Sequence, residues 1–298
     1  MRIILTGGGG QLGTYVRDEL INSSHTLEAW GRSPDSGTHP FALRPVDLCD
    51  HATVRSALEA FRPDVILHLA AISKPALVLA DPAEAWRVNV EGTRILCDWC
   101  RVSGCRLVFT STDMVFDGNH APYREDAQPA PANEYGRTKG QGEQLVLAIP
   151  TGMVVRIPLL YGPTRCNRPS FYDHSLNALD TGQRQLFFED EYRTPLDLQT
   201  AARLLIGLSE SQAVGTVHLG GPERMSRLEL MKRVARKLGI DERLIGGNRL
   251  NDHPGIEPRP ADTTMISERI SELVPGVPRP TVEQAVAQMH PQRLIPEG

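Results

Sequence analysis

Tyr135-Gly136-Arg137-Thr138-Lys139 is the stretch of this chain best suited to chemistry. The sequence holds 6 tyrosines and only four lysines (74, 139, 232 and 237) against 28 arginines. A Tyr followed four positions later by Lys is therefore expected by chance only about 0.08 times. On a helix the two side chains share one face, one turn apart. A phenol titrates near 10 and exchanges protons poorly at neutral pH. A close ammonium favours the phenolate and is expected to lower that value by about 1–3 units, roughly 1.4–4 kcal/mol. The shift would bring Tyr135 towards the range of efficient general acid–base catalysis. The competing reading is an incidental pair on an exposed helix.

A second constellation opens the chain. Ile3-Ile4-Leu5 is fully apolar, as suits a strand buried on both faces of a parallel sheet. Four glycines follow, and from Gln11 to Ile21 the apolar residues Leu12, Tyr15, Val16 and Leu20 recur at helical spacing. Strand, glycine turn and helix start form a dinucleotide-binding arrangement, in which a pyrophosphate sits on the helix N-terminus. Two registers fit: Gly8, Gly10 and Gly13 as G-x-G-x-x-G, or Gly7, Gly10 and Gly13 as G-x-x-G-x-x-G. An ordinary strand-to-helix turn is the plainer alternative.

These groups need a scaffold, and the first half of the chain predicts one. Strands are expected at Leu27 to Gly31, at Arg44 to Leu48 (the approach to a third strand's end), at Val65 to Ala70, at Leu107 to Thr110 and at Met153 to Ile157. Helices are expected at Thr53 to Phe61, Pro82 to Arg101 and Tyr135 to Ala148. This alternation predicts an α/β fold with a doubly wound parallel sheet. The rhythm breaks after Tyr161-Gly162-Pro163. A helix near Ser170 to Asp180, a strand near Leu186 to Glu189, a helix from Asp197 to Ser209, a strand from Thr216 to Leu219 and a helix from Arg227 to Leu238 follow, then a proline-rich piece from Pro254 to Pro280. Residues 1–161 plus 195–220 are expected to form the nucleotide-binding domain, and 162–194 plus 221–298 a smaller, discontinuous substrate-binding lobe.

Composition narrows the function classes. A chain of 298 residues can bury a large core. Net charge −4 and a pI near 6.2 give no basis for a nucleic-acid or anionic-membrane partner. No apolar run reaches the roughly 18 residues that span a bilayer. The absence of a visible signal peptide and five unevenly placed cysteines lead to the expectation of a reducing cytoplasm. Cys97, Cys100 and Cys105 lack a second pair or a nearby His, so no metal is expected.

Further motifs join these two: Asp47-Leu48, His68-Leu-Ala-Ala71, Asn89-Val-Glu-Gly-Thr93, Ser111-Thr-Asp-Met-Val-Phe-Asp-Gly118 and Arg259-Pro260. Together with Thr6 to Gly13 and Tyr135 to Lys139 they span nearly the whole chain. The sequence resembles the extended short-chain dehydrogenases/reductases, and within them the dTDP-4-dehydrorhamnose reductase branch. The resemblance implies a Rossmann domain in which Gly7, Gly10, Gln11, Leu12 and Gly13 cradle the cofactor, and it favours the Gly7/Gly10/Gly13 register. It implies that Tyr135 donates a proton to the substrate carbonyl, that Lys139 lowers its pKa and binds the nicotinamide ribose, and that Thr112 hydrogen-bonds the carbonyl oxygen, with Ser111 competing for that role. Asn89 would hold the site and its proton path. Asp47 and Leu48 would border the adenine, and Leu69, Ala70 and Ala71 would run beside the cofactor's phosphates and ribose.

Cofactor preference follows from charge. The expected second strand ends in Trp30-Gly31-Arg32-Ser33, with no acid to hold a free 2′-hydroxyl and a guanidinium suited to a 2′-phosphate. NADP(H) is thus favoured over NAD(H), with Arg32 and Ser33 at the site, unless Arg32 points into solvent. On the substrate side the resemblance implies Ser73, Thr112, Asp113 and Met114, with Arg193 and Arg259 holding the diphosphate of a nucleotide sugar; either arginine could equally be a lobe-packing salt bridge. Met114 stands where the family usually has Tyr, and Ile157 to Tyr161 lacks an aromatic that rhamnose reductases often carry. The expected function is an NADPH-dependent reductase of a 4-keto-6-deoxy nucleotide sugar. The alternatives are a non-catalytic, NADP-binding regulatory subunit like the methionine adenosyltransferase β subunit, or a reductase or epimerase of another carbonyl compound. Helices 82–101 and 135–148 could pair across a two-fold axis in a homodimer.

Overall fold

The computed structural model describes residues 1–34, 39–252 and 258–293. Ile3, Ile4 and Leu5 are fully buried because strand β1 (Arg2–Thr6) lies inside a seven-stranded sheet with helices on both faces. Its other strands are β2 (Thr26–Gly31), β3 (Leu43–Pro45), β4 (Val65–His68), β5 (Arg106–Thr112), β6 (Gly152–Ile157) and Gly215–His218, in the order Gly215–His218, β6, β5, β4, β1, β2, β3. Every pairing is parallel. The order reverses between β1 and β4, which opens the crevice at the carboxyl ends where such sheets bind ligands. The doubly wound Rossmann fold is therefore as the sequence predicts.

Helices α1 (Gln11–Leu20), α2 (His51–Phe61), α3 (Pro75–Ala80), α4 (Pro82–Trp86), α5 (Gly92–Ser103) and α6 (Glu134–Leu147) belong to this first half. One core layer joins α1 and Leu198–Glu210 (α8, after α7 at Phe171–Asp180) to the sheet through Val16, Leu20, Leu204 and Leu205. The opposite layer sets α2, α5 and α6 on Ile4, Ile66, Leu107 and Phe109. Each fully buried aliphatic or aromatic side chain contributes about 1.5–3 kcal/mol, so the two layers hold the sheet edge rigid where the site is built.

The expected helix from 82 to 101 runs continuously from Pro82 to Ser103, with a π-turn at Arg87–Glu91 between α4 and α5. One extra residue per turn rotates the helix face there, and such turns often mark functional sites. The helix α3 was not legible in the pattern, because its apolar Leu77 and Leu79 are more than half exposed.

The second lobe has its own core, made by α7, α9 (Arg227–Leu238), the strand pair Gln185–Phe188 with Ile245–Asn248, and Val282–Met289. Tyr172, Leu176, Leu230, Val234 and Val286 meet there. Leu238 is followed by Gly239 in a left-handed conformation, which ends α9. One stretch departs from the expected division. Ile270 and Val274, from the helix Arg269–Leu273, pack into the main-domain core beside Leu208 and Val217. Part of the proline-rich piece lies at 253–257, outside the described residues. No helix among the described residues is long and apolar enough to cross a membrane.

Candidate functional site

The glycine turn is shaped by two close approaches. Gly7 has φ +71°, and a Cβ there would lie 2.7 Å from the Ala70 amide nitrogen. A Cβ on Gly13 would lie 2.2 Å from the Gly7 carbonyl oxygen. Both positions exclude a side chain, so the turn uses the Gly7/Gly10/Gly13 register. Gly10 is the N-cap of α1 and makes no side-chain capping bond, as expected of a helix end shaped to receive an anion. Leu69, Ala70 and Ala71 are half-buried and lie along this turn; Gln11 and Leu12 begin α1 beside it.

Arg32 and Ser33 are exposed at the end of β2. Asp47 is exposed and its carboxylate accepts from the Cys49 amide at 2.9 Å, whereas Leu48 is buried in the core beside Gly92. Of the expected adenine border, Asp47 alone is exposed. The segment 163–168, irregular in its sequence pattern, covers the turn: Arg168 Nη2 donates to the Gly9 carbonyl at 3.5 Å, and Gln11 donates to the Arg168 carbonyl at 3.4 Å.

At the crevice, α6 brings Tyr135 to the end of β5. Its N-cap Asn133 accepts from the Gly136 amide at 2.8 Å and donates to the Pro258 carbonyl at 3.3 Å, tying the helix start to the second lobe. A Cβ on Gly136 would stand 2.1 Å from the Met114 carbonyl oxygen. The glycine inside the Tyr-to-Lys motif is what lets α6 approach the turn after β5 so closely. Tyr135 and Thr112 are neighbours in the site, the Thr112 hydroxyl favouring ionisation of the phenol, and both are buried. Ser111 does not compete for this place. Strand alternation turns it to the opposite face, where its hydroxyl donates to Glu143 Oε1 at 2.5 Å.

Lys139 lies one turn along, with Nζ 4.0 Å from the centroid of the Phe109 ring. The expected lowering of the Tyr135 pKa by this ammonium is not found. Burial pushes the phenol above its ordinary value, the Asp113 carboxylate adds to the rise, and the Thr112 hydrogen bond opposes it. Burial also pulls Lys139 down, to about 7, against the attraction of Glu143. The low dielectric disfavours both charged forms. Because its unfolded value lies near 10.5, the unfolded chain holds the Lys139 proton over a pH range where the folded chain has released it. Folding stability should therefore rise with pH between about 7 and 10, with a slope of up to about 1.4 kcal/mol per unit. Denaturant melts across this range should show the slope in wild type, and Lys139→Met should flatten it.

Asn89, in the π-turn, is buried and saturated. Its Oδ1 accepts from the Ile72 amide at 2.8 Å, and its Nδ2 donates to the Ile72 carbonyl at 3.1 Å and to Thr138 Oγ1 at 3.0 Å. It clamps the loop after β4 to α6. Behind it His68 bridges Thr6 (2.7 Å) and Thr93 (2.9 Å), while Thr93 donates to the Asn89 carbonyl at 2.8 Å. Burial, helped by Lys139, depresses the His68 pKa to about 3, so it serves as a neutral strut.

The substrate-side residues separate. Met114 packs with Ile72, Val78 and Ala85 around Tyr135, and Ser73 is exposed at the crevice rim. Arg193 is 4 % exposed and faces five protein acceptors: Asp113 (3.3 Å), Glu191 (3.1 Å) and the carbonyls of Tyr192 (2.6 Å), Pro260 (3.0 Å) and Ala261 (3.4 Å). Its geometry is that of an internal tie between lobes, the alternative to a diphosphate ligand, because Nη1 and Nη2 make four hydrogen bonds within the protein and Nε pairs with Asp113. Arg259 is a third exposed, 3.8 Å from Glu191 and over the Phe188 ring. Arg227, which the sequence reading passed over, pairs with Glu191 at 2.5 Å. Burial would raise the Glu191 carboxyl, but Arg227, Arg193 and Arg259 together hold it below its ordinary value. Among the described residues no three His, Cys, Asp or Glu side chains gather to hold a metal ion.

The RmlD substrate binding domain family model matches residues 1–294. The chain belongs to this family of extended short-chain dehydrogenases/reductases. It is 33% identical over 222 residues to a dTDP-4-dehydrorhamnose reductase of Streptomyces griseus, covering 74% of this chain and 68% of that one. It is 31% identical over 242 residues to methionine adenosyltransferase 2 subunit beta of Pongo abelii, covering 78% and 71%. The solved dTDP-4-dehydrorhamnose reductase of Bacillus anthracis, in complex with NADP, shares the fold with a TM-score of 0.86 at 22% identity, covering 98% of this chain and 99% of that one. RmlD-family relatives thus include oxidoreductases acting on nucleotide sugars.

Proposed function

We propose that this RmlD-family protein is an NADPH-dependent reductase of a dTDP-linked 4-keto-6-deoxyhexose. The observation that carries the proposal is the Tyr135–Thr112 contact, held at the carboxyl edge of the sheet beside the Gly7/Gly10/Gly13 turn. The turn fits a dinucleotide: Gly7 and Gly13 let the turn pack closely on the Ala70 amide and on itself, and the start of α1 at Gly10 supplies amide donors. Arg32 is exposed at the end of β2, and Trp30-Gly31-Arg32-Ser33 contains no acid, which suits a 2′-phosphate. When bound, the nicotinamide supplies hydride. Tyr135 supplies the proton, the Asn89 clamp fixes the loop facing it, and Met114 with Val78 and Ala85 keeps its surroundings apolar.

Purified protein mixed with NADPH and dTDP-4-keto-6-deoxyhexose should consume the reduced cofactor, and the product should carry a new hydroxyl at the former carbonyl. Binding of NADPH with no consumption would overturn the reductase proposal in favour of a regulatory, cofactor-binding role. Consumption with other ketones alone would overturn the sugar.

A further inference from the structure

After Gly162 the chain runs back along α1 to the glycine turn, and three ties fix its course. Tyr15, on α1, donates its hydroxyl proton to the Pro163 carbonyl at 2.7 Å. Arg165 spans Asp18 at 2.7 Å and Gln199 at 3.0 Å, with its guanidinium 3.9 Å from the centroid of the Tyr15 ring. Gln11 and Thr164 both donate to the Arg168 carbonyl, at 3.4 Å and 3.1 Å. The segment is thereby fastened to α1, and Arg168 is the residue it sets against the turn.

The Arg168 guanidinium is poorly matched by the protein around it. Among the described residues it makes one hydrogen bond, from Nη2 to the Gly9 carbonyl at a long 3.5 Å, and no carboxylate pairs with it. The acids nearby are taken: Asp18 by Arg165 and His39, and Asp173 by the amides of Thr164 and Ser170. The first turn of α1 carries no acid. A guanidinium brought to the amide end of a helix meets the positive pole of that helix, so the two repel until an anion lies between them. Such an anion has backbone amides on one side and a fork of N–H donors on the other.

Resting on the reading of this turn as a dinucleotide site, we propose that Arg168 is a cofactor-binding residue that closes over the pyrophosphate held by the α1 amides. Arg32, at the end of β2, is left for the 2′-phosphate, so two arginines divide the phosphates of one cofactor. The clasp also joins the cofactor to the second lobe. Asp173, in the first turn of α7, accepts from the Thr164 amide at 2.9 Å and from the Ser170 amide at 2.7 Å, so the segment carrying Arg168 is tied at its far end to that lobe.

Arg168 is exposed, so Arg168→Met should fold normally, with the ligand-free melting temperature of wild type. Calorimetric titration of the purified protein with NADPH and with NADH reads the proposal. The two cofactors share the pyrophosphate and differ at the 2′-position, so the variant should bind both about tenfold more weakly, the lower end of what a hydrogen bond to a charged group supplies. Arg168→Lys should recover part of the loss, since it keeps the charge without the fork. Unchanged affinity for both cofactors overturns the proposal, and Arg168 is then only a pin on Gly9. Weakening of NADPH alone overturns it too, and moves Arg168 to the 2′-phosphate. If wild type binds NADPH but consumes none with the keto sugar, the reductase reading alone fails and the titration still decides Arg168. If wild type binds neither dinucleotide, the reading of the turn falls and this assignment falls with it.

Discussion

Tyr135→Phe is expected to lower the rate of NADPH consumption about 10²–10⁴-fold, the usual contribution of a positioned general acid. The substitution removes one hydroxyl and keeps the ring, which is 8 % exposed and packs against Val78 and Ala85. NADPH affinity should change little, because the turn at Gly7 to Gly13 and Lys139 remain. Stability should change by no more than about 1 kcal/mol, the size of one polar contact. Steady-state kinetics together with a cofactor titration separates these effects. A variant that retains wild-type turnover would remove Tyr135 from the reaction, and a proton donor would then have to be sought elsewhere in the crevice.

Glu143→Ala should cost about 3–5 kcal/mol of folding stability, the range for breaking a buried ion pair from one side. Glu143 and Arg156 are almost fully buried and 2.8 Å apart. Without the carboxylate, Arg156 keeps the Ala127 carbonyl at 3.0 Å and the Phe116 ring at 5.0 Å but loses the partner that pairs with it at 2.8 Å. Ser111 loses its acceptor as well. The two residues line a cavity of about 320 Å³ with Gln128 and Thr216, so water entering it would soften the cost without abolishing it. In a chain of this size the melting temperature should fall on the order of 10 °C. Replacing both partners, as Glu143→Leu with Arg156→Met, should recover much of the loss, because a matched apolar pair leaves no buried charge behind. A single variant within about 1 kcal/mol of wild type, measured by denaturant melts, would contradict this account. Lys139 provides an independent check. Glu143 raises its pKa, so Glu143→Gln should let Lys139 release its proton at still lower pH.

How much of this was legible beforehand depends on the range of the interaction. Ile3-Ile4-Leu5 and the turn after it are local: three apolar residues and correctly spaced glycines specify a buried strand and a tight turn wherever they occur. The Tyr135/Lys139 spacing was readable for the same reason, since a helix fixes which residues share a face. From these the sequence by itself determined a doubly wound Rossmann fold and the residues on which the proposed chemistry rests. The π-turn at Arg87–Glu91 and the exposed helix Pro75–Ala80 escaped because neither carries a distinctive apolar period.

Only the tertiary structure decided what the charged groups do. Nothing near Arg193 in the sequence indicates that Asp113, 80 positions earlier, and the Pro260 and Ala261 carbonyls would take its donors. Ser111 and Thr112 are neighbours, yet the pleat sends one to Glu143 and the other to Tyr135. The pKa direction of Tyr135 was misjudged from spacing alone, because spacing reports a partner's distance but not the dielectric around it. Burial, which depends on elements far apart in the chain, is the largest influence on Tyr135 and on Lys139.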